Sequence, residues 1–115
     1  MLRGEIRLVD LDPAGAGEAD KRRPAVIVSN DGANAMATRL HRGVVTVVPV
    51  TTSVDRIYPF QVLLPAEAAD LDHDSKAQAE QVRSVSFERL GPRVGAVPPS
   101  YMLDVDEALR LHLSL

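Results

Sequence analysis

Three short segments of this chain carry residues able to act on a phosphate. The first runs from Asp12 to Pro24. Gly15 and Gly17 flank Ala16, Glu18 and Asp20 follow, and Lys21-Arg22-Arg23 leads directly into Pro24. Small residues let a backbone approach a ligand closely, and a guanidinium at the mouth of a strand can clamp a phosphate with paired donors. The same composition also suits a solvated loop whose charges compensate one another. The second segment is Pro49-Val50-Thr51-Thr52-Ser53, whose hydroxyls either donate to a phosphate oxygen or satisfy turn backbone. The third runs from Lys76 to Ser84. On a strand, Gln78, Glu80 and Val82 would share one face, and Gln81 and Arg83 the other. An acid beside amides and a base either positions a substrate hydroxyl or forms an ordinary polar edge.

Other chemistries find little support. The chain has no cysteine, which removes disulfides, thiolate metal sites and a cysteine nucleophile together. His41, His73 and His112 show no short ligand spacing, and Asp70 to Asp74 lacks the glycine and closing glutamate of a calcium loop. No metal and no cofactor is therefore expected. Phe60 and Phe87 read as core, whereas Tyr58, beside Pro59 in a loop, is open to stacking on a base.

These segments need elements to hold them. Gly4 to Leu11 alternates Ile6 and Leu8, with Val9 and Leu11 less cleanly placed, as in a half-buried strand. Pro24 to Ser29 is a short β-branched run, and Asn30 to Ala37 suits a turn or one or two helical turns. Gly43 to Thr51 is the strongest strand; its Pro49 cannot donate to a ladder and belongs at an edge, a bulge or the strand end. Pro59 to Leu64 returns as a strand, Gln78 to Val85 supplies another, and a turn follows around Phe87 to Leu90. The tail is an amphipathic helix for which Ser100 can act as cap, with Met102, Val105, Leu109 and His112 at helical spacing. The pattern predicts a mainly β (α+β) fold, a curled antiparallel sheet or small barrel with a terminal helix packed on it.

At 115 residues, with 45% apolar and 25% charged residues, the chain suits one domain over 1–115 with its own core. The N-terminus is charged at once, and no apolar run approaches the roughly 20 residues that span a bilayer. A cytoplasmic protein with no membrane association is expected. The net charge of −3 does not announce a polyanion ligand, but the charges segregate. Acids gather at Asp70 to Asp74 and Asp104 to Glu107, bases at Lys21-Arg22-Arg23 and Arg39 to Arg42. Screening within about 8–10 Å lets a positive patch persist on an acidic molecule.

Taken in order, the chain resembles the MazF/PemK toxin family. The resemblance rests on Arg3-Gly4-Glu5-Ile6, Val9 to Pro13, Glu18, Arg23-Pro24-Ala25-Val26-Ile27-Val28, Val48-Pro49-Val50-Thr51-Thr52, Tyr58-Pro59-Phe60 and Glu80-Gln81-Val82-Arg83-Ser84. It implies an SH3-like barrel of the CcdB/PemK type, with five to seven strands and a C-terminal helix. It also implies a two-fold homodimer, metal-independent and sequence-selective cleavage of single-stranded RNA, and neutralisation by a cognate MazE-like antitoxin. By the same resemblance Arg23 and Thr51 form the catalytic core, with Glu18 and Glu80 in support. Three positions depart from the family pattern: Arg7 replaces an aromatic residue, Ala16 stands where a glycine is usual, and Gly17 where some members have histidine.

RNA supplies its own nucleophile, the 2′-OH, which attacks the adjacent phosphorus and leaves a 2′,3′-cyclic phosphate. An enzyme must accept that proton, neutralise the phosphoryl oxygens and protonate the leaving 5′-oxygen. Arg23 suits the second task, and Thr51 is expected to donate to the same phosphate. Arginine stays protonated far above neutral pH and is a poor proton acceptor, which leaves Glu18 or Glu80 for that role. Arg22, Thr52, Arg39, Arg42, Tyr58, Gln81 and Arg83 are candidates for substrate binding. The alternatives are a CcdB-like gyrase-binding toxin that cuts nothing and an RNA-binding module without catalysis.

Overall fold

A computed structural model describes residues 1–12, 15–18 and 21–115. Pro13 of the Asp12-Pro13 pair and Asp20 of the first segment lie outside the described residues. Seven strands form one antiparallel sheet: β1 (Glu5–Asp10), β2 (Arg22–Ile27), β3 (Val44–Thr51), β4 (Gln61–Leu64), β5 (Ser75–Gln78), β6 (Arg83–Ser86) and β7 (Leu90–Ala96). Its order is β4-β5-β3-β2-β1-β7, with β6 also on β3, so β4 and β7 are the two ends of an open sheet. Among the described residues three α-helices accompany it: α1 (Asp31–Leu40), the short α2 (Ala66–Ala69) and the terminal α3 (Pro99–Leu113).

Both faces of the sheet are covered. Ile6, Val26, Val48, Val50, Val62 and Leu64 pack with Val105 and Ala108 of α3 in one core. Val9, Leu11, Ala25, Ile27, Val45, Val47 and Val85 pack with Ala37 of α1 in the other. Strand side chains alternate between faces, so β2 and β3 send successive residues into different cores. This is why Val9 and Leu11 blur the alternation of β1: they point into the second core. We call these the α3 face and the α1 face.

Two elements are larger or more broken than the sequence suggests. The segment after β2 is a ten-residue helix reaching Leu40, beyond the Ala37 limit expected. Asn30 caps it, accepting from Ala33 N at 2.8 Å. Its buried face carries a polar residue, Asn34, beside Ala37, so no apolar stripe marks it. Asn34 donates to Ser29 O at 2.9 Å and accepts from Ser29 Oγ at 2.5 Å, locking the helix to the end of β2. The single strand expected over Gln78 to Val85 is instead the end of β5, a 3-10 turn at Ala79–Gln81, and β6. In α3, Ser100 does not act as cap; the helix starts at Pro99, and the capping position is Pro98 with no side-chain hydrogen bond. Proline at the first helical position loses nothing, since that N–H has no helical partner.

Pro49 explains the break. Val28 N donates to Thr46 O at 2.9 Å, which fixes Val26↔Val48 as the next hydrogen-bonded pair and Ala25↔Pro49 as a non-bonded one. The Pro49 nitrogen therefore points away from β2, towards the partner strand on the other side. There β3 pairs Val50 with Ala77 but Val47 with Arg83, so two residues of β3 face five of its partner. The surplus is the 3-10 turn, placed where no donor is available.

Neither α2 nor β7 stands out in the sequence, because α2 has four residues and β7 contains Gly91, Pro92 and Gly95. Gly95 pairs with Ile6 and lies under α2, where an added Cβ would come within 2.4 Å of Ala69 O. Backbone cannot yield there as a flexible side chain would. Gly95→Ala is expected to lower stability by about 1–3 kcal/mol, read as a lower urea midpoint at unchanged slope.

Candidate active site

The β1–β2–β3 register brings the first two segments together. Lys21 O accepts from Leu11 N at 2.9 Å, which makes Arg23 a hydrogen-bonded partner of Val9 and leaves Pro24 non-bonded against Leu8. Pro24 thus faces β3, where the next bonded pair with Val50 would need an N–H that proline lacks. The β2–β3 ladder ends at Ala25↔Pro49. The next facing positions on the α1 face are Arg23 and Thr51, beyond the last rung. Arg23 and Thr51 are both half-buried. Thr51 Oγ1 accepts from Ser53 N at 3.2 Å, so the turn uses the hydroxyl as an acceptor and leaves its proton to be given elsewhere.

The third segment continues this face. Lys76 stands opposite Thr51 and Gln61 opposite Gln78, while Arg83 faces Val47. Glu80, in the 3-10 turn, accepts from Gln61 Nε2 at 2.6 Å through Oε2, and Gln61 Oε1 accepts from Tyr58 N at 3.2 Å. The other carboxylate oxygen of Glu80 is buried and has no hydrogen-bond partner among the described residues. Gln61 and Lys76 were missed from the sequence; only the pairing of β4 with β5 and of β5 with β3 reveals that they share the face of Thr51.

The loop before β2 is moored from the far end of the chain. Gln81 Nε2 donates to Gly17 O at 2.9 Å, and Arg83 Nη1 to Leu11 O at 3.1 Å. Arg89 Nη1 donates to Asp10 O at 3.2 Å and also to Asp12 O. Within the loop Gly17 has φ +81, and the exposed Glu18 accepts from Gly15 N at 3.2 Å. Gln81 and Arg83 thus use donors to hold the loop.

Other candidates stand elsewhere. Arg22, alternating with Arg23, leaves the opposite face, and its Nη2 lies 2.7 Å from where a Cβ on Gly91 would sit. Thr52 lines a 350 Å³ cavity with Leu8, Pro24, Leu71 and Val94, rimmed by Asp70, Asp72 and His73. Tyr58 is 40% exposed, but its ring stacks on Phe60 at 5.4 Å and carries the Arg56 guanidinium at 4.9 Å. Those contacts compete with a stacked base. Arg39 and Arg42 flank the C-terminal end of α1, before β3 begins at Val44. Thr51 closes that strand, about 23 Å further on at 3.3 Å per residue. The structure does not bring these two arginines to the site. Among the described residues no group of three or more histidine, aspartate or glutamate side chains is placed to hold a metal ion.

The basic clusters of the sequence do not stay together: Arg22 and Arg23 leave opposite faces of β2, and Arg39 and Arg42 lie before β3. Lys76 stands opposite Thr51 and donates to Arg56 O, while Arg83 and Arg89 donate to Leu11 O and Asp10 O. Asp106 is tied to Arg3 at 2.6 Å on α3, and Asp104 and Glu107 line a groove between α3 and β4. Among the described residues no helix is long and apolar enough to cross a membrane.

Comparison with known proteins gives this arrangement a family. Residues 2–113 match the PemK-like, MazF-like toxin of type II toxin–antitoxin systems. The chain is 59% identical over 115 residues to Endoribonuclease MazF9 of Mycobacterium tuberculosis strain H37Rv, covering 100% of this chain and 98% of that one. A mycobacterial endoribonuclease solved with its cognate antitoxin superposes with a TM-score of 0.78 at 27% identity, over 100% of this chain and 96% of the other. MazF of Deinococcus radiodurans shares the fold at a TM-score of 0.83 and 24% identity, over 100% and 97% of the two chains. With its sequence matched almost from end to end, the chain belongs to the PemK/MazF family of type II toxin–antitoxin toxins.

Proposed function

We propose that this protein is a sequence-selective endoribonuclease toxin that cleaves single-stranded RNA without a metal, with Arg23 and Thr51 holding the scissile phosphate. The observation that supports the site is the end of the β2–β3 ladder at Ala25↔Pro49, since the same register carried two positions further sets Arg23 opposite Thr51 on one face. Full-length identity to an endoribonuclease supports the activity and favours it over the gyrase-binding and catalytically silent alternatives. Residues 1–115 act as one toxin domain, working in the cytoplasm as a homodimer and neutralised by a MazE-like antitoxin. The antitoxin complex of the mycobacterial relative supports that last assignment.

In this reading the 2′-oxygen forms a bond to phosphorus while the bond to the 5′-oxygen breaks. The 2′ proton passes to a carboxylate, and the leaving oxygen takes a proton from an acid in the site. Arg23 pairs its fork with the two non-bridging oxygens, where charge grows, and the Thr51 hydroxyl adds a third donor. Glu80 and Glu18 are the candidate proton acceptors. Glu80 is the more constrained, since Gln61 fixes one oxygen and leaves the other unpartnered.

Cleavage is expected to persist in EDTA and to stop when the scissile nucleotide is 2′-deoxy. Arg23→Ala should lose at least 100-fold in kcat/KM, roughly the 3 kcal/mol or more of one transition-state donor set, with unchanged circular dichroism. Full activity in that variant removes the phosphate clamp. Glu80→Gln or Glu18→Gln should lower kcat about 100-fold, the usual share of a general base; wild-type rates in both variants exclude a carboxylate base.

A further inference from the structure

Lys76 is the one charged side chain in the buried set of the described residues, with 8% of its surface exposed. Its Nζ donates to Arg56 O at 2.7 Å and lies 6.0 Å from the centre of the Tyr58 ring. No carboxylate among the described residues pairs with it; the described ion pairs are Arg3–Asp106, Arg7–Glu5 and Arg110–Glu107. One carbonyl and one ring compensate poorly for taking an ammonium out of water. An apolar side chain would fill the same space without that cost, so packing alone gives no reason for a lysine here.

Its position supplies one. Lys76 faces Thr51 across the β3–β5 ladder, and the β2–β3 register, carried two positions past its last pair Ala25↔Pro49, sets Arg23 opposite Thr51 on the other side. Residues 52–58, which leave directly from Thr51, fold back so that Arg56 O and Tyr58 cover the ammonium. We propose that Lys76 is a positioning residue for RNA cleavage, fixing the 52–58 loop beside Thr51 and placing a buried positive charge behind the phosphate held by Arg23 and Thr51. This rests on the ribonuclease reading above. A buried charge is screened less than an exposed one and reaches further. The substrate phosphate then provides the counter-charge that the protein withholds, most strongly as negative charge builds in the transition state.

The test is Lys76→Met, which keeps an unbranched chain of similar length in a buried place, measured beside Lys76→Arg. Initial rates on single-stranded RNA at several salt concentrations give kcat, KM and the salt slope, and thermal unfolding reports the fold. Lys76→Met is expected to fold with an unchanged or higher Tm, to lose about tenfold in kcat, and to flatten the slope of log kcat/KM against log salt by about 0.7, one phosphate's share on a single strand. Lys76→Arg should restore most of the rate. Wild-type kcat and slope in Lys76→Met overturn the proposal, as does a rate loss that follows a lowered Tm with the slope unchanged. A wild-type protein that leaves RNA whole overturns the ribonuclease reading, and this inference with it.

Discussion

A β-ladder continues for as long as each second residue offers an N–H to its neighbour, and in this protein two prolines withhold it. Pro24 stops β2 from bonding to β3 beyond Ala25↔Pro49. Pro49, one strand across, has its nitrogen facing the 3-10 turn at Ala79–Gln81. The first interruption frees Arg23 and Thr51 from a strand interior while leaving them on its α1 face. The second lifts Glu80 and Gln81 out of what would have been a flat strand. The rest of the site depends on those two missing donors.

The surrounding sheet has to be rigid for such a gap to have a defined shape. Because both faces are buried, the strands on either side of the gap are held by two cores rather than one. Six of the sixteen acidic residues lie on α3 or in the turn after α2, and the other ten are spread along the chain.

Much of this was legible from the residues themselves. Arg23-Pro24, the Pro49-to-Ser53 segment and Glu80-Gln81 stood out because chemistry-bearing types adjoin strand boundaries, and the terminal helix declared itself through its apolar spacing. The long α1 did not, since its buried face carries Asn34, whose fitness for the core lies in Ser29, an adjoining partner that periodicity cannot reveal. Lys76 and Gln61 were hidden for a different reason. Their significance lies in which residue stands across from them, and register over a sheet of non-consecutive neighbours is not written in local sequence. Arg39 and Arg42 show the converse: a basic cluster conspicuous in the sequence is carried to the wrong end of β3 by the helix that precedes it.

The moorings of the loop before β2 reach across most of the chain, from Gly17 to Gln81 and from Leu11 to Arg83. A ribosome that has released Arg23 and Thr51 has therefore not yet delivered the side chains that set the loop beside them. On the proposed assignment of Arg23 and Thr51, a defined loop beside them belongs only to the finished polypeptide.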